Sequence, residues 1–242
     1  MRNMLRPIVF TALAGASTLA AAGPLVTAGG TAATPTQYEI TLNAVEFKRA
    51  DGTYYPFFSG TATFDVGSAS AGANSTVGAI AAGNSLEPGV SYTAMRVTVA
   101  SSHNVTGGVA NAGTGQPCQT GGAGSGTGVV LNNVNFETGS ATGGSGTSQS
   151  LDVPTDATGT TVASALSTAG IERTGNQLRF EVPLAVTVPT DNTVPPALAI
   201  GFDVAGQLEF LTTGVGTCAV MVLPPIITFT TPAGTTTFQA NL

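Results

Sequence analysis

The 242-residue sequence has no tryptophan, one histidine and two cysteines, and only 8% of its residues are charged. A soluble domain commonly carries about 25% charged residues, so hydroxyls, small side chains and backbone must supply most of this surface. Seven basic against thirteen acidic residues leave no cationic stripe to neutralise phosphates, which argues against a nucleic-acid partner. With His103 the sole imidazole, a Ser-His-Asp triad would need it as base. Its neighbours Ser101, Ser102, Asn104 and Thr106 read instead as a strand end running into a turn. No Gly-x-Ser-x-Gly elbow, Gly-x-Gly-x-x-Gly turn, lysine-ended phosphate loop or zinc-spaced histidine pair occurs.

What the chain has is small residues: Gly, Ala, Ser and Thr make up 121 of the 242. Hydrophobic residues are 42%, enough to bury a core and unlike a disordered low-complexity chain. The first 22 residues have the form of a secretory signal peptide. Arg2 and Arg6 give a positive start, Pro7 to Leu19 a short apolar run, and Ala20-Ala21-Ala22 small cleavage subsites, so cleavage is expected after Ala22. The alternative is a membrane anchor, but Thr11, Gly15, Ser17 and Thr18 dilute a run that would need about 20 apolar residues to span. Cleavage would leave five basic and thirteen acidic residues, a formal charge of −8, and no cysteine near the new terminus for a lipid. The expected location is extracellular, secreted or held at the cell surface.

In such a compartment Cys118 and Cys218 are expected to form one disulfide; two free thiols or links between chains are the other readings. Residues 23–35, with small residues and two prolines, read as a flexible N-terminal arm. Residues 36–242 read as one domain, with loop insertions near 107–128 and 138–160.

Strand periodicity dominates that domain. Tyr38, Ile40 and Leu42 alternate with polar residues, and the phase then shifts to Val45 and Phe47, which one extra residue in a bulge explains. Asp51-Gly52 marks a hairpin turn, and Pro56 makes the following aromatic strand an edge or bulged one. Alternation returns at Leu178 to Val188 and Leu198 to Val204, and Val90 to Val99, Leu208 to Leu211, Ala219 to Leu223 and Ile226 to Thr230 read as further strands. Thr161 to Ala169 reads as one short helix with Val162, Ala165 and Leu166 on its inner face. The fold class is therefore all-β, an antiparallel β-sandwich with long Gly/Ser/Thr-rich loops.

Leu86, Pro88, Gly89 and Tyr92 have the Leu-x-Pro-Gly-x-x-Tyr form of a tyrosine corner and resemble the turn into a late strand of fibronectin type III domains. The resemblance implies an immunoglobulin- or fibronectin-like Greek key and a phenol hydroxyl bonded to upstream backbone. Over Tyr38 to Ala100 the order of first strand, Asp51-Gly52, Phe64-Asp65, Pro88-Gly89, Tyr92 and Arg96-x-Val is similar to exported bacterial β-sandwich domains of unknown function. That likeness implies a fold and a compartment and no catalytic residues; this chain departs from those on lipoproteins in lacking a lipidated cysteine.

Three groups remain as candidates for chemistry. Glu172 and Glu181, flanked by Arg173 and Arg179, are a carboxylate pair of the sort a glycosidase needs, or else a solvated hairpin of exposed ion pairs. Asp152, Asp156 and Asp191 offer loop oxygens to calcium, without the dense spacing of an EF-hand; no other cofactor is expected. Tyr54, Tyr55, Phe57 and Phe58 could contact a polysaccharide or partner, or pack as an edge strand. Two functional readings follow: a non-catalytic structural or adhesive surface protein, a filament or layer subunit self-associating by strand addition, or a secreted polysaccharide-binding module or hydrolase.

Overall fold

The computed structural model describes residues 8–12, 30–67, 75–80, 86–113, 115–121, 127–131, 134–155, 161–190, 199–214, 216–231 and 234–238. Two short strands come first, β1 (Ile8–Ala12) and β2 (Thr31–Ala33), and both find partners far along the chain. The alternation from Tyr38 onward becomes β3 (Gln37–Arg49), which buries Tyr38, Ile40 and Leu42, then Val45 and Phe47. Its phase change falls at a bulge: the register shifts between Leu42 and Ala44 against both neighbouring strands. The turn at Asp51-Gly52 is closed by Asp51 Oδ1, which accepts from the Thr53 amide at 2.8 Å, and leads into β4 (Tyr54–Asp65). Pro56 sits where β4 pairs with β3 on one side, with no second ladder among the described strands, which suits a residue without an N–H.

After β5 (Ser75–Ile80), strands β6 (Ser91–Ala100) and β7 (Ser102–Thr106) form one long strand bent at the buried Ser101. The bend is held on both sides, because the Ser101 amide donates to Asn176 O and its carbonyl accepts from the Val153 amide. The Gly-rich region contributes β8 (Gly108–Val109), β9 (Cys118–Gln119), β10 (Thr127–Leu131) and β11 (Val134–Thr138), followed by β12 (Gln149–Asp152). Helix α1 (Thr161–Thr168) buries Val162 and Leu166, half-buries Ala165, and stops at Gly170, whose φ of +74° suits only glycine easily. Strands β13 (Ile171–Thr174) and β14 (Gln177–Thr187) form a hairpin. Strands β3, β4, β6, β7, β12, β13 and β14 make a seven-stranded sheet.

Residues 199–231 form one long hairpin. Strands β15 (Ala199–Asp203) and β16 (Leu208–Gly214) run out, and β17 (Thr217–Val222) and β18 (Ile226–Thr231) return in nearly unbroken register. Val204–Gln207 on one side and Leu223–Pro225 on the other interrupt it at the same level, bridged by the Leu223 amide donating to Gln207 O. The half near the tip joins β10, β11 and β2 in one five-stranded sheet; the other half joins β19 (Gly234–Phe238), β1 and β5 in a second.

These two sheets form the layer facing the seven-stranded sheet. Phe180 of β14 meets Phe238 of β19 edge-on at 5.9 Å, and the Tyr38 hydroxyl of β3 donates to Leu223 O at 2.6 Å. The buried apolar side chains of both layers form one cluster, so the chain is an all-β sandwich with one short helix. No helix among the described residues is long and apolar enough to cross a membrane.

Candidate functional site

Every basic residue beyond Arg6 lies on the seven-stranded sheet: Lys48 and Arg49 on β3, Arg96 on β6, Arg173 on β13 and Arg179 on β14. Their partners come from cross-strand register, which sets Glu46, Arg96 and Glu181 in one row across β3, β6 and β14. Arg96 pairs with Glu46 at 2.7 Å, Lys48 with Glu181 at 3.1 Å, Arg49 with Glu87 at 2.7 Å and Arg179 with Glu172 at 3.8 Å. Tyr54 joins the row from β4. Its ring lies 3.7 Å beneath the Arg96 guanidinium, and its hydroxyl donates to Glu181. That hydrogen bond holds the Glu181 carboxyl below the usual carboxylate range, and Glu181 in turn raises the Lys48 ammonium. Arg173 differs, donating to Val153 O and Pro154 O and so tying β13 to the segment after β12.

This arrangement orders a surface. Glu172 and Glu181 each hold a cation on an exposed sheet face, which is the hairpin alternative to a glycosidase pair. Exposed pairs of this kind contribute about 0–1 kcal/mol each, and a cation–π contact about the same. The four aromatics of β4 do not share a face. Phe57 is 5% exposed and touches Phe47 edge-on, Tyr55 and Phe58 pack against the core, and Tyr54 alone lies in the charged row. His103 is buried beside the Tyr38 ring at 4.9 Å; burial pushes its pKa down to about 4, against a smaller opposing pull from the Glu39 backbone. Asp152 is exposed on β12, while Asp156 and Asp191 lie outside the described residues. Among the described residues no three His, Cys, Asp or Glu side chains converge as a metal site.

At Leu86, Pro88, Gly89 and Tyr92 the geometry is specific. Gly89 takes φ +77°, its amide donates to Val188 O at 2.8 Å, and the Val188 amide returns a bond to Val90 O. The Tyr92 ring is buried, and its hydroxyl accepts from the Glu87 amide, five residues upstream, at 3.2 Å. The corner thus fixes β6 to the end of β14.

Cys118 and Cys218 are bonded, with Cα atoms 5.6 Å apart, joining β9 to β17 across 100 residues of chain. Around the bond, the Gly-rich tracts pack backbone on backbone. A Cβ on Gly139 would stand 2.5 Å from Cys218 Sγ and 2.8 Å from Gln119 O, so the site admits no side chain. Thr120 donates to Thr147 O at 2.7 Å, and the Gln149 amide group donates to Thr138 O, closing the same layer.

The arrangement that sequence reasoning missed is in the second five-stranded sheet. Strand β1 comes from the apolar run read as a signal peptide, yet it lies inside this sheet. It pairs in parallel with β15 (Val9 with Ala199, Phe10 with Ile200, Thr11 with Gly201) and antiparallel with β5 from Ile8–Ile80 to Ala12–Ser75. Without β1, β15 would keep only β18 as a neighbour, and β5 would have no ladder partner among the described strands. Hydropathy alone suggests a leader here, because a short apolar run fits a leader and a buried strand equally well. No protein-family model, curated protein or solved structure matches the chain.

Proposed function

We propose that this is a non-catalytic structural or adhesive protein of the cell surface, exported by its first 22 residues, whose copies associate through open sheet edges. The observation that carries the reading is the position of β1: a strand drawn from the segment expected to be removed fills the interior of a sheet. Cleavage after Ala22 would split a continuous five-stranded sheet and leave unpaired edges on β15 and β5, beside a core that includes Ile200 and Phe202. Unpaired edges of buried strands template pairing with another chain. The charged row supports the same reading, since its carboxylates and cations are matched to one another on a flat face.

Electron microscopy of surface material from the native source tests this. Ordered polymers containing the chain, with an N-terminus at Gly23, are expected. A monomeric chain with residues 1–22 still attached, or one with hydrolytic activity on an extracellular polysaccharide, would overturn it.

A further inference from the structure

Resting on the proposed function, we infer which strand takes the place of β1: after cleavage, Leu25–Ala28 of a second copy enters the slot between β15 and β5. The first argument is sequence. Val9-Phe10-Thr11-Ala12, which fills the slot in the uncleaved chain, is two apolar residues followed by Thr-Ala; Leu25-Val26-Thr27-Ala28 repeats that order sixteen residues later. Aligned on Thr-Ala, Val26 takes the place of Phe10 opposite Ile200, and Thr27 that of Thr11 opposite Gly201. The slot pairs through backbone, and both segments place two apolar residues before Thr-Ala, with Val26 at the position of the larger Phe10.

The second argument is reach. Strand β2 holds Thr31 against Phe210, and its antiparallel pairing sends the chain upstream of Thr31 toward the hairpin tip, away from β15. With Thr27 opposite Gly201, Ala28 would stand beside Phe202, eight residues back from Phe210 along the same ribbon, about 26 Å of strand and still about 18 Å if the ribbon folds to a right angle. If Leu25–Ala28 occupied the slot of its own chain, only Gly29 and Gly30 would link it to Thr31, a span of about 10 Å. The arm therefore cannot serve its own slot while β2 is paired, and it is free to serve a neighbour's. Each copy then carries one donor and one acceptor, a head-to-tail contact that propagates.

The test uses the mature chain, residues 23–242, with cysteines introduced in pairs. Under mild oxidation, chains carrying Val26→Cys and Ile200→Cys together are expected to form a ladder of covalent multimers on a non-reducing gel. A mixture of the two single variants should yield one covalent dimer. Moving the arm cysteine to Leu25, Thr27 or Ala28 should reduce the yield severalfold. Because Ile200→Cys alters a buried position, a second variant changes only the arm: Leu25→Asp with Val26→Asp is expected to abolish polymers and give soluble monomer. Polymers that persist in the aspartate variant, or that form without any cross-link from positions 25–28 to 200, overturn this inference and leave the surface-assembly reading standing. A covalent monomer in the double-cysteine chain also overturns it, placing the arm in its own slot. Absence of polymers from the unaltered mature chain defeats the assembly reading itself.

Discussion

At the scale of single residues, the one imidazole is a stability element with a definite sign. His103 has its folded pKa near 4 against about 6.5 when unfolded, because burial disfavours the charged ring. Below pH 6.5 the unfolded chain takes up a proton that the folded chain refuses, so stability falls as pH drops from 6.5 toward 4. The full effect is about 3 kcal/mol. Glu137, whose carboxyl burial raises, works in the opposite sense over the lower part of that range. Urea unfolding at pH 7 and pH 4.5 measures the balance, and His103→Leu isolates the imidazole: the variant should lose most of the difference between the two pH values. An unchanged difference would mean that the ring is not held neutral by burial.

At the scale of elements, the disulfide is a covalent tie inside the core, where both cysteines are buried. It closes a loop of 100 residues, worth about 4.7 kcal/mol in the chain-entropy model and commonly 2–5 kcal/mol when a native bond is removed. Replacing both Cys118 and Cys218 by alanine should lower the denaturant midpoint accordingly and raise amide exchange first in residues 107–121 and 138–147. If exchange there does not change, the glycine-packed layer is stable without the bond. That layer also shows where sequence reading stopped. The alternation of β3, its bulge and the pairing of the two cysteines were legible, because local periodicity and a two-cysteine count constrain them directly. The order within the Gly/Ser/Thr tracts was not, since it depends on contacts such as Gly139 against Cys218, which bring together residues almost 80 positions apart. The charged row of Glu46, Arg96, Glu181 and Tyr54 was hidden for a similar reason. Each residue sits on the polar phase of its own strand, and only the sheet register makes them neighbours.

At the scale of the whole molecule, low charge and abundant small residues gain a structural meaning. The small residues let backbone approach backbone in the disulfide layer, and four of the five basic residues beyond Arg6 are paired with carboxylates on one sheet. In the proposed assembly the contact is made by main chain, at the edges that cleavage would leave on β15 and β5. The sequence contains both the segment that fills the slot and the segment that repeats its pattern, but no local property links them. The link is the topology that sets β15 beside β1 and holds β2 eight residues away along the same ribbon.

The central claim, that removing residues 1–22 splits a continuous sheet and makes the chain assemble, is tested most directly by comparing the mass in solution of the full chain and of the chain beginning at Gly23. Light scattering over a concentration series should show the full chain as a monomer near 23.9 kDa and the shortened chain as multimers that grow with concentration. Two monomers at every concentration, or equal polymerisation of both, would contradict the account.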